Sequence, residues 1–392
     1  MSRFDALFLE TLDGLAAAGR RRHLALTMPA APGLALRDGR TLLNFSGNDY
    51  LGLARHPLLA ERSRQWGDTY GTGAGASRLV TGTMELHQQV EAKLARLKGA
   101  EGALILASGW QANASILPAL IKVAGPDTIV FADALNHSSL VHGCRAAGIR
   151  AVRFPHNDLE GLAELLEDHS TRPGRRLIVT ESVFSMDGDR ADLVRLRALA
   201  DAYGAFLYVD EAHATGVLGP NGSGLCGGLA DLSMGTFSKA LGSFGAYVAG
   251  SRALIDFLTN TCAGFVYTTA LPPNVLGAID AALDLVPGME VPRSTLAENA
   301  ARVRAAFRAL GIDTGASSTQ IIPALVGGEH DALHLAAALR AAGILAVAIR
   351  PPTVPAGTSR LRFALSVAHD AAAVEQLIRA MAAIWPAQRR AA

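Results

Sequence analysis

The stretch FLYVDEAHATG, residues 206–216, decides the fold. Four bulky apolar residues run without a polar break into Asp210, Glu211 and His213, and a glycine follows. An apolar run of this length reads as a strand buried on both faces, with the acidic group emerging at its carboxyl end. Open α/β sheets bind their ligands at that edge. Taken alone, a carboxylate there serves equally well as the cap of the following turn. The string DEAH is shared with nucleic-acid helicases, but no GxxxxGK[ST] occurs in the chain to hold a triphosphate, so that reading fails.

Outward from this strand, residues 84–250 alternate between helix-period segments and short branched runs, which predicts a largely parallel sheet covered by helices. The strands are ALILA at 103, TIVFA at 128, AVRF at 151, RLIVT at 176, AFLYV at 205 and AYVAG at 246. Helices are expected at 84–97, 111–121, 140–148 and 192–204, the last two closed by a left-handed glycine. Beyond about 285 the regular alternation stops. VPGMEVPRS reads as a joint, and the remaining helices and strands read as a smaller α+β domain. The expected division is an N-terminal segment 1–45, a large α/β domain 46–286 and a small C-terminal domain 287–392.

A chain of 392 residues, 50% hydrophobic and 18% charged, can bury a large core. Its net charge of +1 gives no electrostatic case for nucleic acid, although GRRRH at 19–23 could meet an anion. Cys144, Cys226 and Cys262 form no CxxC pair, which argues against a disulfide framework or a zinc ribbon and for a reducing cytoplasm. Asp5, Glu10 and Asp13 interrupt what would be the apolar part of a signal peptide, and no later run is long enough to span a bilayer. No metal, membrane or nucleic acid is expected. GTGAG at 71–75 breaks GxGxxG spacing, and GxSxG and HExxH are absent.

Lysines are few: Lys93, Lys98, Lys122 and Lys239. The first three sit in stretches that read as exposed helix faces or loops. Lys239, in GTFSKALGSFGA at 235–246, sits among small residues, where an amine can lose its proton and attack a carbonyl as arginine cannot. A lysine, the carboxylate of Asp210 and the SGW of residues 108–110 at a strand-to-helix junction make a set suited to pyridoxal phosphate. That cofactor needs a Schiff-base amine, a carboxylate beside its pyridine nitrogen and a phosphate cup at a helix N-terminus.

FSGNDYLGLARHP, FADALNHSSL, ESVFSMDGDRADL, VDEAHATGVLG and GTFSKALG together resemble the α-oxoamine synthases, in family order and over nearly the whole chain. The resemblance implies the aspartate-aminotransferase-like fold, fold type I of the pyridoxal-phosphate enzymes, and a homodimer with shared active sites. It also implies that Lys239 carries the Schiff base, Asp210 faces the pyridinium, His213 approaches the ring hydroxyl and His137 stacks on the ring. Ser185 is implied on the ring-hydroxyl side. Ser108, Gly109, Trp110 and Thr236 are implied around the phosphate, with Thr269, and Thr268 beside it, reaching across the dimer. Trp110 departs from the tyrosine or phenylalanine usual there, and GTGAGASRL departs from the usual glycine-serine pattern.

AIRPPTVPAGTSRLRFALS, 348–366, is most similar to the branch that acts early in biotin synthesis. That branch condenses L-alanine with pimeloyl-CoA, or with pimeloyl-acyl-carrier protein, and releases CO2. Arg350 is then expected to clamp the amino-acid carboxylate through forked hydrogen bonds, assisted by Asn48, with Arg20 and Thr353 at further substrate positions. The alternatives are glycine C-acetyltransferase or another member of the family, a non-catalytic partner subunit, which would lack the lysine, and a nicotinamide oxidoreductase.

Overall fold

A computed structural model of the chain describes the backbone of residues 3–391 and the side chains of 4–385. Two compact units emerge, one of Leu51–Ser185 with Arg190–Arg293, the other of Met1–Tyr50, Met186–Asp189 and Ser294–Ala392. The sequence places its joints at 45/46 and 286/287, whereas the units change over at 50/51 and 293/294. The second changeover falls within VPGMEVPRS, but at its end, because the second proline of that stretch lies in the first turn of the helix Glu290–Ala309, where a missing N–H costs nothing.

The larger unit is built on seven strands in the order Gly102–Leu106, Ala246–Gly250, Leu232–Thr236, Ala205–Asp210, Arg176–Glu181, Ile129–Asp133, Val152–Phe154. Ala246–Gly250 is antiparallel to both neighbours. The remaining pairings are parallel. Each expected strand is present, and Leu232–Thr236 is an additional one.

Side chains alternate across this sheet because successive residues of a strand face opposite ways. Val130, Leu177, Val179 and Tyr208 pack on one face against Ile116, Leu120 and Leu140 from the helices Gly109–Ala124 and Ser138–Ala146. Phe131, Ile178, Leu207 and Val209 pack on the other against Leu162, Leu166 and Leu196 from Leu159–Asp168 and Leu193–Ala202. Both faces are therefore dry, which is why these strands read as unbroken apolar runs. Each such buried side chain contributes about 1.5–3 kcal/mol. A carboxylate at Val179 would have no partner and would break the layer.

Gly148 (φ 75°) and Gly204 (φ 58°) close two of these helices in the left-handed conformation read from the sequence. The helix Pro273–Leu285 lies close on Pro57–Tyr70 because residue 277 is glycine: a Cβ there would come within 2.6 Å of the Arg62 carbonyl. Arg62 bridges the same pair through Asp280 at 2.5 Å, and Lys93, from the helix Glu85–Lys98, reaches the same carboxylate at 2.6 Å. Lys122 is exposed as expected, but Lys98 is buried, contrary to its reading as a surface residue.

In the smaller unit, Ile321–Gly327, Ser359–Ala364 and Val347–Ile349 form an antiparallel sheet beside the helices Glu329–Ala341 and Ala371–Ala391. A second sheet joins Met28–Ala31, Leu34–Arg37 and Arg40–Asn44 in parallel to Ile344–Leu345. The N-terminal segment thus pairs with C-terminal chain. Among the described residues no helix is long and apolar enough to cross a membrane.

Candidate active site

Six of the seven strands run in one direction, so their carboxyl ends share one edge of the sheet. Five of those ends lead into residues singled out above: Leu106 into Ser108, Asp133 into His137, Glu181 into Ser185, Asp210 into His213 and Thr236 into Lys239.

Asp210 closes the central strand in register with Glu181 on one side and Met234 on the other. Its carboxylate is 5% exposed as a residue and is held by neutral donors, Ala212 N–H at 2.8 Å and the Asn113 amide at 2.9 Å. The Asn113 amide also donates to Ser139 Oγ at 2.9 Å, and its oxygen accepts the Tyr208 hydroxyl at 2.7 Å. Ser139 Oγ lies 2.6 Å from His137 Nδ1, and Ser139 N–H donates to the same nitrogen at 3.3 Å. With Nδ1 accepting, the neutral ring carries its proton on Nε2. Asn113, Ser139 and Tyr208 therefore couple the orientations of Asp210 and His137. None of the three was singled out from sequence, although an asparagine on the apolar face of a helix is a usable signal.

Burial pushes the His137 imidazole below its ordinary value, opposed by Asp210 and aided by Lys239, so the ring is neutral at pH 7. Glu181 accepts the His137 N–H at 2.5 Å. Burial, and then the charge of Asp210, push its carboxyl well above the usual range, which favours the neutral acid.

Ser108 caps the helix Gly109–Ala124, accepting Gln111 N–H at 3.2 Å, and the intrahelical ladder opens with Ala112 N–H on Ser108 O at 2.9 Å. The amides of Gly109 and Trp110 remain directed out of a positive helix end, a ready anion site. Residue 109 must be small, since a Cβ there would meet Thr236 Cγ2 at 2.8 Å. Thr236 Oγ1 in turn accepts from Lys239 Nζ at 3.3 Å, which puts the amine beside the same cup. Trp110 is 48% exposed and meets His137 edge-on at 6.2 Å. Gln111 ties the short helix Ala263–Val266 and the turn after it to the cup through Gly264 O at 2.6 Å and Thr268 Oγ1 at 2.7 Å. Thr268 is thus engaged in its own chain, while Thr269 is exposed. Ser185 is half-buried and His213 is buried. An anion cradle, an amine, a fixed carboxylate and a neutral imidazole are donor types that fit pyridoxal phosphate.

The other expected residues belong to the smaller unit. Asn48 accepts from Tyr50 at 3.1 Å and from Arg362 at 3.1 Å, so its guanidinium neighbour is Arg362, a residue the sequence reading missed. Arg20 pairs with Glu329 at 2.7 Å. Arg22, also missed, donates to Thr353 Oγ1 at 3.0 Å. Arg350 donates to Gly19 O, and burial, then repulsion from Arg22, lower its pKa. An anion between these two guanidiniums would relieve that repulsion.

The aminotransferase class I and II family model matches residues 40–381. The 8-amino-7-oxononanoate synthase of Gluconacetobacter diazotrophicus is 60% identical over 97% of both chains. That of Geobacter metallireducens is 49% identical over 96% of both. A solved serine palmitoyltransferase from S. paucimobilis with bound PLP superposes with a TM-score of 0.90 at 28% identity, covering 98% of each chain. The chain belongs to the class I and II aminotransferase family and, within it, to the 8-amino-7-oxononanoate synthases, and its cofactor is pyridoxal phosphate.

Proposed function

We propose that the chain joins L-alanine to the acyl group of pimeloyl-CoA or pimeloyl-acyl-carrier protein, releasing CO2 and the thiol, as a step of biotin synthesis. The observation that carries this reading is Lys239 Nζ at 3.3 Å from Thr236 Oγ1, beside the anion cradle of helix Gly109–Ala124. When bound, pyridoxal phosphate supplies a protonated ring that accepts the electrons of the amino acid's α-carbon.

The residues divide the remaining work. Asp210 offers a negative charge oriented by Asn113 and Ala212, which favours a protonated pyridine nitrogen. The amides of Gly109 and Trp110, with Ser108 and Thr236, hold the phosphate, while His213 and Ser185 serve the ring-hydroxyl side. Lys239 would hold the cofactor through its aldehyde, and its free amine would be the base that takes the amino acid's α-proton. His137, neutral and protonated on Nε2, would contact the cofactor ring and donate to the thioester carbonyl as negative charge grows there. Arg350 and Asn48, with Arg362 beside the latter, are assigned to the alanine carboxylate, and Arg20 and Thr353 to the acyl substrate.

We infer that the functional unit is a homodimer with shared sites. Exposed Trp110 belongs to the cup, Tyr267 precedes Thr268, which Gln111 holds to it, and exposed Leu79 and Val80 follow Ser77, which bridges to Thr269; these suit a covered surface, and Thr269 is available to a partner's phosphate. Three buried, unpaired cysteines suit a reducing cytoplasm.

The test is to supply purified, PLP-loaded protein with single amino acids and either pimeloyl-CoA or a shorter thioester, and to weigh the product. The expected mass is that of the amino ketone from alanine and the pimeloyl group. A product formed only from glycine and acetyl-CoA would overturn the substrate assignment in favour of glycine C-acetyltransferase.

A further inference from the structure

Beneath the turn that carries Asp210 and His213 lies a charge the reaction does not use. Lys98 ends the helix Glu85–Lys98 with 2% of its side chain exposed, against Glu211 with 0%. Its ammonium donates to Glu211 Oε2 and to the carbonyl of Ser223. The other carboxylate oxygen accepts Leu225 N–H at 2.5 Å and Cys226 N–H at 2.9 Å. One carboxylate therefore draws the end of the loop 211–226 back onto its beginning. Residue 224 has to be glycine, since its φ is 95° and a Cβ would come within 2.5 Å of Glu211 Oε1.

Tyr247 extends the device toward the site. Its ring centroid lies 5.7 Å from Lys98 Nζ, and its hydroxyl is 2.6 Å from Thr215 Oγ1. Gly235 makes room, because a Cβ there would meet the tyrosine hydroxyl at 2.5 Å. Meanwhile Glu211 N–H donates to Met234 O at 2.6 Å, and Glu211 O accepts from Ala214 and Thr215. The segment 210–215 is gripped at Glu211 and again at Thr215. His213 lies between the two grips, and Asp210 immediately precedes the first.

We propose that Lys98 is a positioning residue for the cofactor site: through Glu211 and Tyr247 it sets the turn 210–215, and hence the places of Asp210 and His213. The proposal rests on the reading that those two residues face the cofactor. Burial opposes the charge on Lys98, but Glu211 outweighs it and holds the ammonium above its ordinary range, so Lys98 stays charged.

Removing one partner of a buried pair leaves an uncompensated charge, whereas removing both restores stability, and this separates a purely structural role from a positioning one. PLP-free wild type, Lys98→Met and the double variant Lys98→Met/Glu211→Leu are titrated with PLP, with melting temperatures and the pH dependence of the bound cofactor's visible absorbance recorded alongside. Lys98→Met is expected to melt earlier. The double variant is expected to melt later than Lys98→Met, though below wild type because Leu225 and Cys226 N–H lose their acceptor, and to bind PLP about 10-fold more weakly, with a displaced absorbance midpoint, because the hydrogen-bonded tether is still missing. A double variant with wild-type PLP affinity and midpoint overturns the proposal. Should the double variant not fold, Tyr247→Phe decides, since it removes only the hydroxyl that reaches Thr215. A displaced midpoint supports the tether, and an unchanged midpoint and affinity overturn it. Wild-type protein that failed to take up PLP would instead sink the cofactor reading itself.

Discussion

Asp210 and Glu211 are consecutive residues at the end of one strand, and both are buried, yet their surroundings treat their charge in opposite ways. On the site side, Asp210 is oriented by an amide and a backbone N–H, groups that fix its direction without cancelling its charge. On the other side, Glu211 meets the Lys98 ammonium in a closed pair. A charge that is held but not neutralised belongs to a ligand, and one neutralised within the chain belongs to the architecture.

The largest effect that sharpens this contrast is at Lys239. Lys239→Ala is expected to lower turnover by about 10⁴-fold or more, through loss of anchor and base together, and to abolish the absorbance change on adding alanine. Near-normal turnover would remove Lys239 from the chemistry. The neighbouring carboxylates come next. Glu211→Gln strands Lys98 and should lower the unfolding free energy by about 3–5 kcal/mol, read by denaturant titration. Asp210→Asn should spare most of the stability but lower kcat by about 10²–10³-fold. Interchanged outcomes would break the comparison.

Arg350→Ala should act on capture of the amino acid, raising the alanine KM by about 10-fold or more, as loss of a charge-assisted pair implies. Unchanged alanine saturation would count against the clamp. The last effect is one of pH and bears on stability rather than on turnover. Burial lowers the His369 imidazole from 6.5 to about 4, while its Nδ1 accepts Ser366 N–H and its other nitrogen meets Asn44 O at 3.1 Å. The unfolded chain takes up this proton first, so stability is complete above the unfolded value and is lost as pH falls from about 6.5 toward 4, by up to about 1.4 kcal/mol per unit. His369→Asn should flatten that part of the stability profile.

Much of the larger unit was legible because each parallel strand, dry on both faces, is a run of branched apolar residues bounded by turn signals. LSMGT escaped notice because Ser233 and Gly235 spoil such a run, and the need for glycine at 235 arises from Tyr247, a residue on the neighbouring strand. The strands between 28 and 44 are short and mostly half-buried or exposed, so they carry little apolar pattern. At the site, the chemistry-bearing residues stood out by type and order, but their supports did not. Asn113 is hidden within an ordinary helical pattern, and Lys98 finds its carboxylate 113 residues away. In GRRRH the sequence favours Arg20, yet Arg20 meets Glu329 and Arg22 meets Thr353, a distinction that depends on how the chain leaves the helix Arg3–Ala17.

The measurement that bears most directly on the account is the location of the bound cofactor. Protein loaded with PLP, reduced with borohydride and digested should carry the pyridoxyl group on the peptide containing Lys239 and on no other. A modification found instead on Lys93, Lys98 or Lys122, or none in protein that has taken up PLP, would contradict it.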